Sequence, residues 1–310
     1  MKKQKQAYAY AITAVLFWST AAAAFKLTLR YLDYLQLLFY ASIVSIAILF
    51  MILLMQNKVA LLKTYSIRDY LHSALLGLLN PFLYYVVLLK AYSLLRAQEA
   101  MTLNYTWSIM LVLLSIPLLR QKIGPRSILA IIIGFFGVVI VAAKGDLTSL
   151  KFSNPFGVCL ALSSSLIWAL FWLYNVRDKR DEVAKLFLNF AFGFVFILIA
   201  MLLSSRMVVP EIKGLLGVTY VGLFEMGVTF VLWFMALKLS RTTAKVSNLI
   251  FIAPFMSLIW IRIVVKEEIS PSTIVGLVFI VVGIILQQYS SRTRRGGSSA
   301  TEIAEETETA

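Results

Sequence analysis

Apolar residues dominate the chain in ten long runs separated by short polar connections. The runs with almost no charge cover residues 8–25, 34–56, 70–89, 97–119, 127–143, 152–176, 186–205, 214–237, 246–261 and 269–291. A helix needs about 20 apolar residues to cross a bilayer, within a range of about 17 to 25. Most runs meet that length. The fifth and ninth are short and are kept as spans because the connections between them stay consistent only if both cross. Every backbone amide in hydrocarbon must be satisfied internally, and these runs lack the closely spaced turn residues of a β-barrel, so each is read as helix. The predicted fold class is an all-α integral membrane protein with ten transmembrane helices.

The ten runs divide into two sets of five that can be laid over one another. A shift of 150 pairs Trp18 with Trp168, Ala41 with Ala191, Met51 with Met201 and Leu53 with Leu203. A shift of 145 pairs Gly77 with Gly222, Ala91 with Ala236 and Arg96 with Arg241, and a shift of 146 pairs Ile123 with Ile269, Pro125 with Pro271 and Gly137 with Gly283. The shifts change only at loops, and their common order marks an internal repeat. Residues 1–145 are predicted to form the first repeat and 146–291 the second, with 292–310 a disordered acidic tail excluded from function. Five is odd, so the second copy enters the membrane upside down. Inverted repeats of this kind place a site near the midplane between the halves and let one arrangement serve both sides, as in secondary transporters.

Composition narrows the reading further. With 60% hydrophobic and 14% charged residues, the chain has too little polar surface for a soluble domain of 310 residues. The formal net charge of +14 would suggest nucleic acid in a soluble protein. Here its distribution decides: with the N-terminus in the cytoplasm, 19 of the 29 Lys and Arg fall on the cytoplasmic side and 10 on the other. That bias follows the positive-inside rule, so the expected location is a bacterial inner (plasma) membrane with both termini cytoplasmic. The basic charge then reports topology and contact with anionic lipid, and no nucleic-acid partner is expected. Lys2, Lys3 and Lys5 before an apolar run ending at Ala21 to Ala24 resemble a signal peptide, but the matching Trp168 run has no cleavage context, so the first span is expected to stay. A single cysteine, Cys159, excludes an internal disulfide, and a single histidine, His72, builds no multi-ligand metal site alone. No nucleotide loop or catalytic triad emerges, so neither cofactor, metal nor enzymatic activity is expected. A passive channel, a membrane-embedded enzyme and a non-transporting scaffold are the alternatives from other classes.

Polar and aromatic residues inside the runs mark the candidate site, because polar groups at that depth are costly unless they face protein or water. Asn80 and Tyr84 stand four apart in the third span, with Pro81 permitting a bend. Asn104, Tyr105 and Trp107 cluster in the fourth, with Asn104 and Trp107 three apart and Ser108 four from Asn104. Trp18, Trp107 and Trp168 lie near mid-span, where an interfacial belt does not account for them; helix packing is the bland reading and a cavity lining the functional one. Glu225 lies at the middle of the eighth span, opposite Asn80 in the repeat, and reads either as a structural acid or as a group that meets a substrate amine or a proton. Glu99 is expected near the surface beside Arg96. Gly134, Gly137, Gly276 and Gly283 suggest that the fifth and tenth spans close on each other. Packing within the chain is preferred over a dimer face, so a monomer is expected.

Two stretches carry a family resemblance. Ala97-Gln98-Glu99-Ala100 leading to Asn104-Tyr105-Thr106-Trp107, and Lys266-Glu267-Glu268-Ile269-Ser270 leading into Gly276 and Gly283, resemble the EamA-type repeats of the drug/metabolite transporter superfamily over about residues 8–290. Within it, the Asn-Tyr-x-Trp signature with mid-span aromatics looks like the branch of YddG-type aromatic amino-acid exporters, with Ser108 where that branch has proline. The resemblance implies a ten-helix basket, a central cavity lined by spans one, three, four, six, eight and nine, and export of amino acids, aromatic or otherwise apolar, or related metabolites. Its aromatic lining, carried over, gives Trp18, Tyr84, Tyr105, Trp107 and Trp168 as substrate-binding residues; Asn80, Asn104 and Glu225 join them on depth alone.

Overall fold

The computed structural model describes residues 2–119, 124–146, 154–204, 207–240, 246 and 248–287. The acidic tail, Arg241 and Ile123 of the repeat pairs, and the loop bases Arg120, Lys122, Lys151, Arg206 and Lys245 lie outside them. Nine described helices are long and apolar enough to cross a membrane: α1 Lys3–Thr28, α2 Tyr34–Met55, α3 Ile67–Leu94, α4 Ala97–Leu118, α5 Pro125–Ala142, α6 Pro155–Asn175, α7 Glu182–Ser204, α8 Ile212–Leu239 and α9 Asn248–Val265. A shorter apolar helix, α10 Pro271–Gln287, completes the set. No strand occurs among the described residues. The fold is therefore the all-helical, ten-helix membrane architecture.

Helix starts follow local chemistry. Asp33 caps α2 by accepting from the backbone N–H of Leu35 and Gln36 at 2.8 and 2.9 Å, and Gln36 reaches back to the N–H of Asp33. Ser66 and Asp69 form the same reciprocal box at the start of α3. Pro125, Pro155 and Pro271 stand at the first turns of α5, α6 and α10, where the missing N–H would have no helical partner anyway.

Contacts between the halves come in symmetric pairs. α1 packs on α8 and α9, and its repeat counterpart α6 packs on α3 and α4. α2 packs on α8 as α7 packs on α3. Counterparts that meet directly run antiparallel: Phe39 of α2 stacks on Phe194 of α7 at 5.3 Å, whereas Phe50, later in α2, meets the earlier Phe187 at 5.6 Å. The α5–α10 pair behaves likewise. A Cβ on Gly137 would stand 2.5 Å from the Gly276 carbonyl, and one on Gly283 would stand 2.6 Å from the Ala130 carbonyl. Only glycine permits that approach of backbones. An antiparallel arrangement of equivalent helices is what an inverted repeat requires.

Four helices are not continuous α-helix. α3 is interrupted by a wider turn at Leu78–Leu83, where Asn80 is extended at φ −146° and ψ 117°. α8 is interrupted at Val221–Glu225. Asn80 and Glu225 are repeat equivalents, so the two breaks occur at the same depth in the two halves. The carbonyls freed in α8 find side-chain donors: Trp18 Nε1 donates to Glu225 O at 3.4 Å, Ser45 Oγ to Met226 O at 2.9 Å, and Thr229 Oγ1 to Phe224 O. α4 turns at Tyr105 and Thr106, and α9 opens with a tighter turn at Asn248–Ile252 and closes with a wider one at Ile261–Val265.

At the end carrying the α2–α3 and α6–α7 connections, charges knit the loops together. Arg180 donates to both carboxylate oxygens of Asp178, to Asp69 O and to Ser73 Oγ, and Lys58 pairs with Asp181 at 2.7 Å. Burial alone would raise the Asp178 carboxyl; the Arg180 hydrogen bonds, with the charges of Arg180 and Lys185, overcome it and hold that carboxyl below its ordinary value.

Candidate functional site

A cavity of about 500 Å³ lies between the two halves and is walled by α1, α3, α4, α6, α8 and α9. Its lining begins with a stripe on α1, where Trp18, Ala21, Ala22 and Phe25 recur at helical spacing. The small residues leave room for ligand and the two large rings bound it. On α3, Tyr84, Leu88 and Tyr92 form a second stripe at four-residue steps. α6 contributes Trp168, Trp172 and Leu173, the turn after it Val176 and Arg177, α8 contributes Glu225, Trp233 and Leu237, and α9 contributes Ile250, Phe251 and Ser257.

The turn inside α4 sets the remaining wall. Asn104, Tyr105 and Trp107 all face the cavity, together with Met101 and Leu111. Asn104, Tyr105 and Trp107 fall on one broad side of the helix, and the turn at Tyr105 and Thr106 lies within that lining. Thr106 goes the other way, its Oγ1 lying 2.7 Å from Leu103 O and 3.0 Å from Ser165 Oγ, within hydrogen-bond reach of both. Asn104 is held at both ends, accepting from Tyr84 OH at 3.3 Å and donating to Ser164 Oγ at 2.9 Å. These bonds join α3, α4 and α6 across the boundary between the halves.

Aromatic rings stack around the space. Trp168 lies 4.6 Å from Tyr84, 5.6 Å from Phe171, 5.8 Å from Phe230 and 6.0 Å from Trp172, and Trp18 lies 5.5 Å from Trp233. Glu225 is 9% exposed. Its Oε1 accepts from Tyr85 OH at 3.2 Å, and its Oε2 has no hydrogen-bond partner. Arg177 is the basic residue among the described lining, and it stands at the mouth beside Val176, which is 72% exposed.

The opposite end of the cavity is sealed. Phe25, Tyr92 and Met101 there are 2–3% exposed. Behind them Lys26 Nζ donates to Tyr92 O at 2.8 Å and to Leu95 O at 2.5 Å, tying α1 to the α3–α4 turn. Gln98, fully buried, crosses from the first half to the second. Its Nε2 donates to Glu267 Oε1 at 2.9 Å and Glu268 O at 2.7 Å, and its Oε1 accepts from Ser270 N at 2.8 Å. Arg30 donates to Val265 O at 3.1 Å.

Seven of the eight residues singled out in the sequence, Trp18, Tyr84, Asn104, Tyr105, Trp107, Trp168 and Glu225, border this cavity. Asn80 does not. The break between Asn80 and Tyr84 cancels their four-residue register, and Asn80 is fully buried away from the lining, its side-chain oxygen and nitrogen without partners. Glu99 departs from its expected surface position: it is 4% exposed and faces Lys144 at 3.9 Å, while Arg96 turns to Glu267. Phe25, Tyr92 and Trp233 are lining residues that the sequence reading passed over. Phe25 continues the Trp18 stripe by seven residues and Tyr92 the Tyr84 stripe by eight, so both carried a helical-spacing signal; Trp233 follows Glu225 by eight across a break and carried none.

The same two-part construction is visible in other proteins. The EamA-like transporter family matches residues 5–143 and again residues 155–287. A protein of Clostridium kluyveri described as an uncharacterized transporter is 24% identical over 299 residues, covering 93% of this chain and 94% of its own. The uncharacterized transporter YvbV of Bacillus subtilis is 26% identical over 249 residues, 78% of each chain. A solved crystal structure with 20% identity superposes with a TM-score of 0.63 over 93% of this chain and 98% of its own, a likeness of fold. Two matched halves of one family, laid antiparallel around a shared cavity, account for the repeat and the fold together, and the chain belongs to the EamA-like transporter family.

Proposed function

We propose that this protein is a secondary transporter that exports small apolar or aromatic metabolites of amino-acid size, amino acids and their close relatives, by alternating access through the central cavity. The carrying observation is the cavity itself: about 500 Å³, walled by aromatic rings from both halves, reaching an exposed mouth at Val176 and Arg177 and stopped at the other end by the Gln98–Glu267 plug. That volume suits one small molecule, and stacked indoles and phenols suit a flat or apolar side chain. A plug made of hydrogen bonds between halves supports alternation over an open pore, because it can break in one state and form in the other. The distribution of basic residues supports a bacterial inner (plasma) membrane with both termini cytoplasmic, which turns the open mouth toward the cytoplasm. The Asn104-Tyr105-Thr106-Trp107 stretch supports the aromatic side of the substrate range, and a monomer holds the complete cavity.

The test is uptake by purified protein in liposomes, with a panel of radiolabelled amino acids and related amines under an imposed pH gradient. Saturable accumulation of apolar or aromatic members, absent from empty liposomes, is the expected result. Failure of the whole panel in protein shown to be folded would remove this substrate class.

A further inference from the structure

Resting on that reading of the cavity, we infer that its preferred ligand is a monocationic aromatic amine and that Glu225 is the counter-ion; a zwitterionic amino acid fits less well. Among the described residues, the cavity lining has one acid and no deep base. Glu225 borders it at mid-depth, more than nine-tenths buried, with Oε1 held by Tyr85 OH at 3.2 Å and Oε2 unpartnered. A buried carboxylate oxygen without a donor calls for a cation or a proton beside it. The rings that share the lining with it, Trp18, Tyr84 and Trp168 among them, suit the same charge, since aromatic π-systems attract an ammonium group.

A carboxylate on the ligand has no equivalent partner among the described residues. Arg177 is at the exposed mouth, far along the lining from the sealed end, and the buried bases nearby are occupied. Lys26 is spent on Tyr92 O and Leu95 O, and Lys185 on Asn175 O, Asp178 O and Glu182. The amide of Asn104 is neutral, and it is engaged at its oxygen by Tyr84 and through one of its two N–H groups by Ser164. An amino acid placed with its ammonium group on Glu225 would therefore hold its own carboxylate against neutral donors alone, with no cationic partner among the described residues, a cost that the amine without a carboxylate does not meet.

The inference is tested by a charge series on one ring: 2-phenylethylamine, L-phenylalanine, 3-phenylpropionate and the neutral 2-phenylethanol. Binding is read by titration calorimetry on the purified full-length protein, and the same four compounds are followed in liposome uptake. Wild-type protein is expected to bind 2-phenylethylamine at least about tenfold more tightly than the other three, and Glu225→Gln to weaken the amine by about ten- to hundredfold while moving the alcohol less than about twofold. Phenylalanine bound as tightly as the amine, or an amine affinity unchanged in a folded Glu225→Gln protein, would overturn the inference. If that variant does not fold, the wild-type series decides alone, and Tyr85→Phe, which keeps the charge, is expected to retain the preference for amine over alcohol. Uptake of phenylalanine with no amine preference would leave the transport reading standing and this inference lost; tight amine binding without uptake of any of the four would do the reverse.

Discussion

Trp107 and Trp168 border the same cavity but are held differently, and that difference separates binding from packing. Trp168 is locked among Tyr84, Phe171, Trp172 and Phe230, so its truncation removes a hub of ring contacts as well as a wall. Trp107 is half-buried like Trp168, but it follows the turn in α4 and stands outside that hub. We expect Trp107→Ala to weaken ligand binding by about 1 to 2 kcal/mol, or about five- to thirtyfold, with the melting temperature nearly unchanged. Trp168→Ala should lose transport and also several degrees of thermal stability, since a large ring removed from a packed site leaves a void. Parallel calorimetry and thermal melts of the two purified variants would show it; equal loss of stability in both would make Trp107 a packing residue. At this scale much of the cavity lining was legible, because an indole or carboxyl deep in an apolar run has few reasons to be there. Asn80 is the counter-example: it is equally polar and equally deep, yet a distortion of the backbone beside Pro81 turns it out of the register that composition alone suggested.

Breaks in the helices carry what single residues cannot. Averaged hydropathy runs smoothly through α3, α4, α8 and α9, so their interruptions are hidden in a reading of apolar length. Pro81 announced the one in α3; the matching break in α8 has no proline, and only its repeat relation to Asn80 pointed there. The polar plug was hidden for another reason. Gln98, Glu267 and Ser270 look like ordinary polar residues at the ends of apolar runs until the fold brings the α3–α4 and α9–α10 connections together. If that plug exists only when the mouth at Arg177 is open, then Gln98→Ala removes three hydrogen bonds from one state and none from the other. At roughly 1 kcal/mol each, less what water restores, the balance should move by about 2 kcal/mol, or about thirtyfold, toward the state open at the plugged end. The check is labelling of a Met101→Cys probe, in protein whose native Cys159 has been replaced by serine, with a membrane-impermeant thiol reagent applied from the plug side. Faster labelling in the Gln98→Ala background is the expected outcome, and an unchanged rate would make the cluster a static brace.

The whole molecule derives its two ends from one folding unit used twice in opposite senses. Equivalent helices α2 and α7, and α5 and α10, meet antiparallel, so whatever closes one end in this state has a counterpart position at the other. The repeat was legible from residue matches because packing positions such as Gly137 and Gly283 restrict the side chain in both copies. Of the pairings across the halves, α5 with α10 was legible from its glycines and the others were not, since apolar surfaces in lipid carry no partner code beyond size and shape. Sidedness decides what the asymmetric cavity does. With 19 basic residues toward one face and 10 toward the other, the mouth at Val176 and Arg177 is expected to open to the cytoplasm, and the Gln98 plug to face outward. A green fluorescent protein fused after Gln288 should then fluoresce, and alkaline phosphatase fused at the same position should be inactive, because the first folds only in the cytoplasm and the second only outside it. The opposite pair of results would turn the molecule over, place the open cavity on the outer face, and convert the export reading into one of uptake.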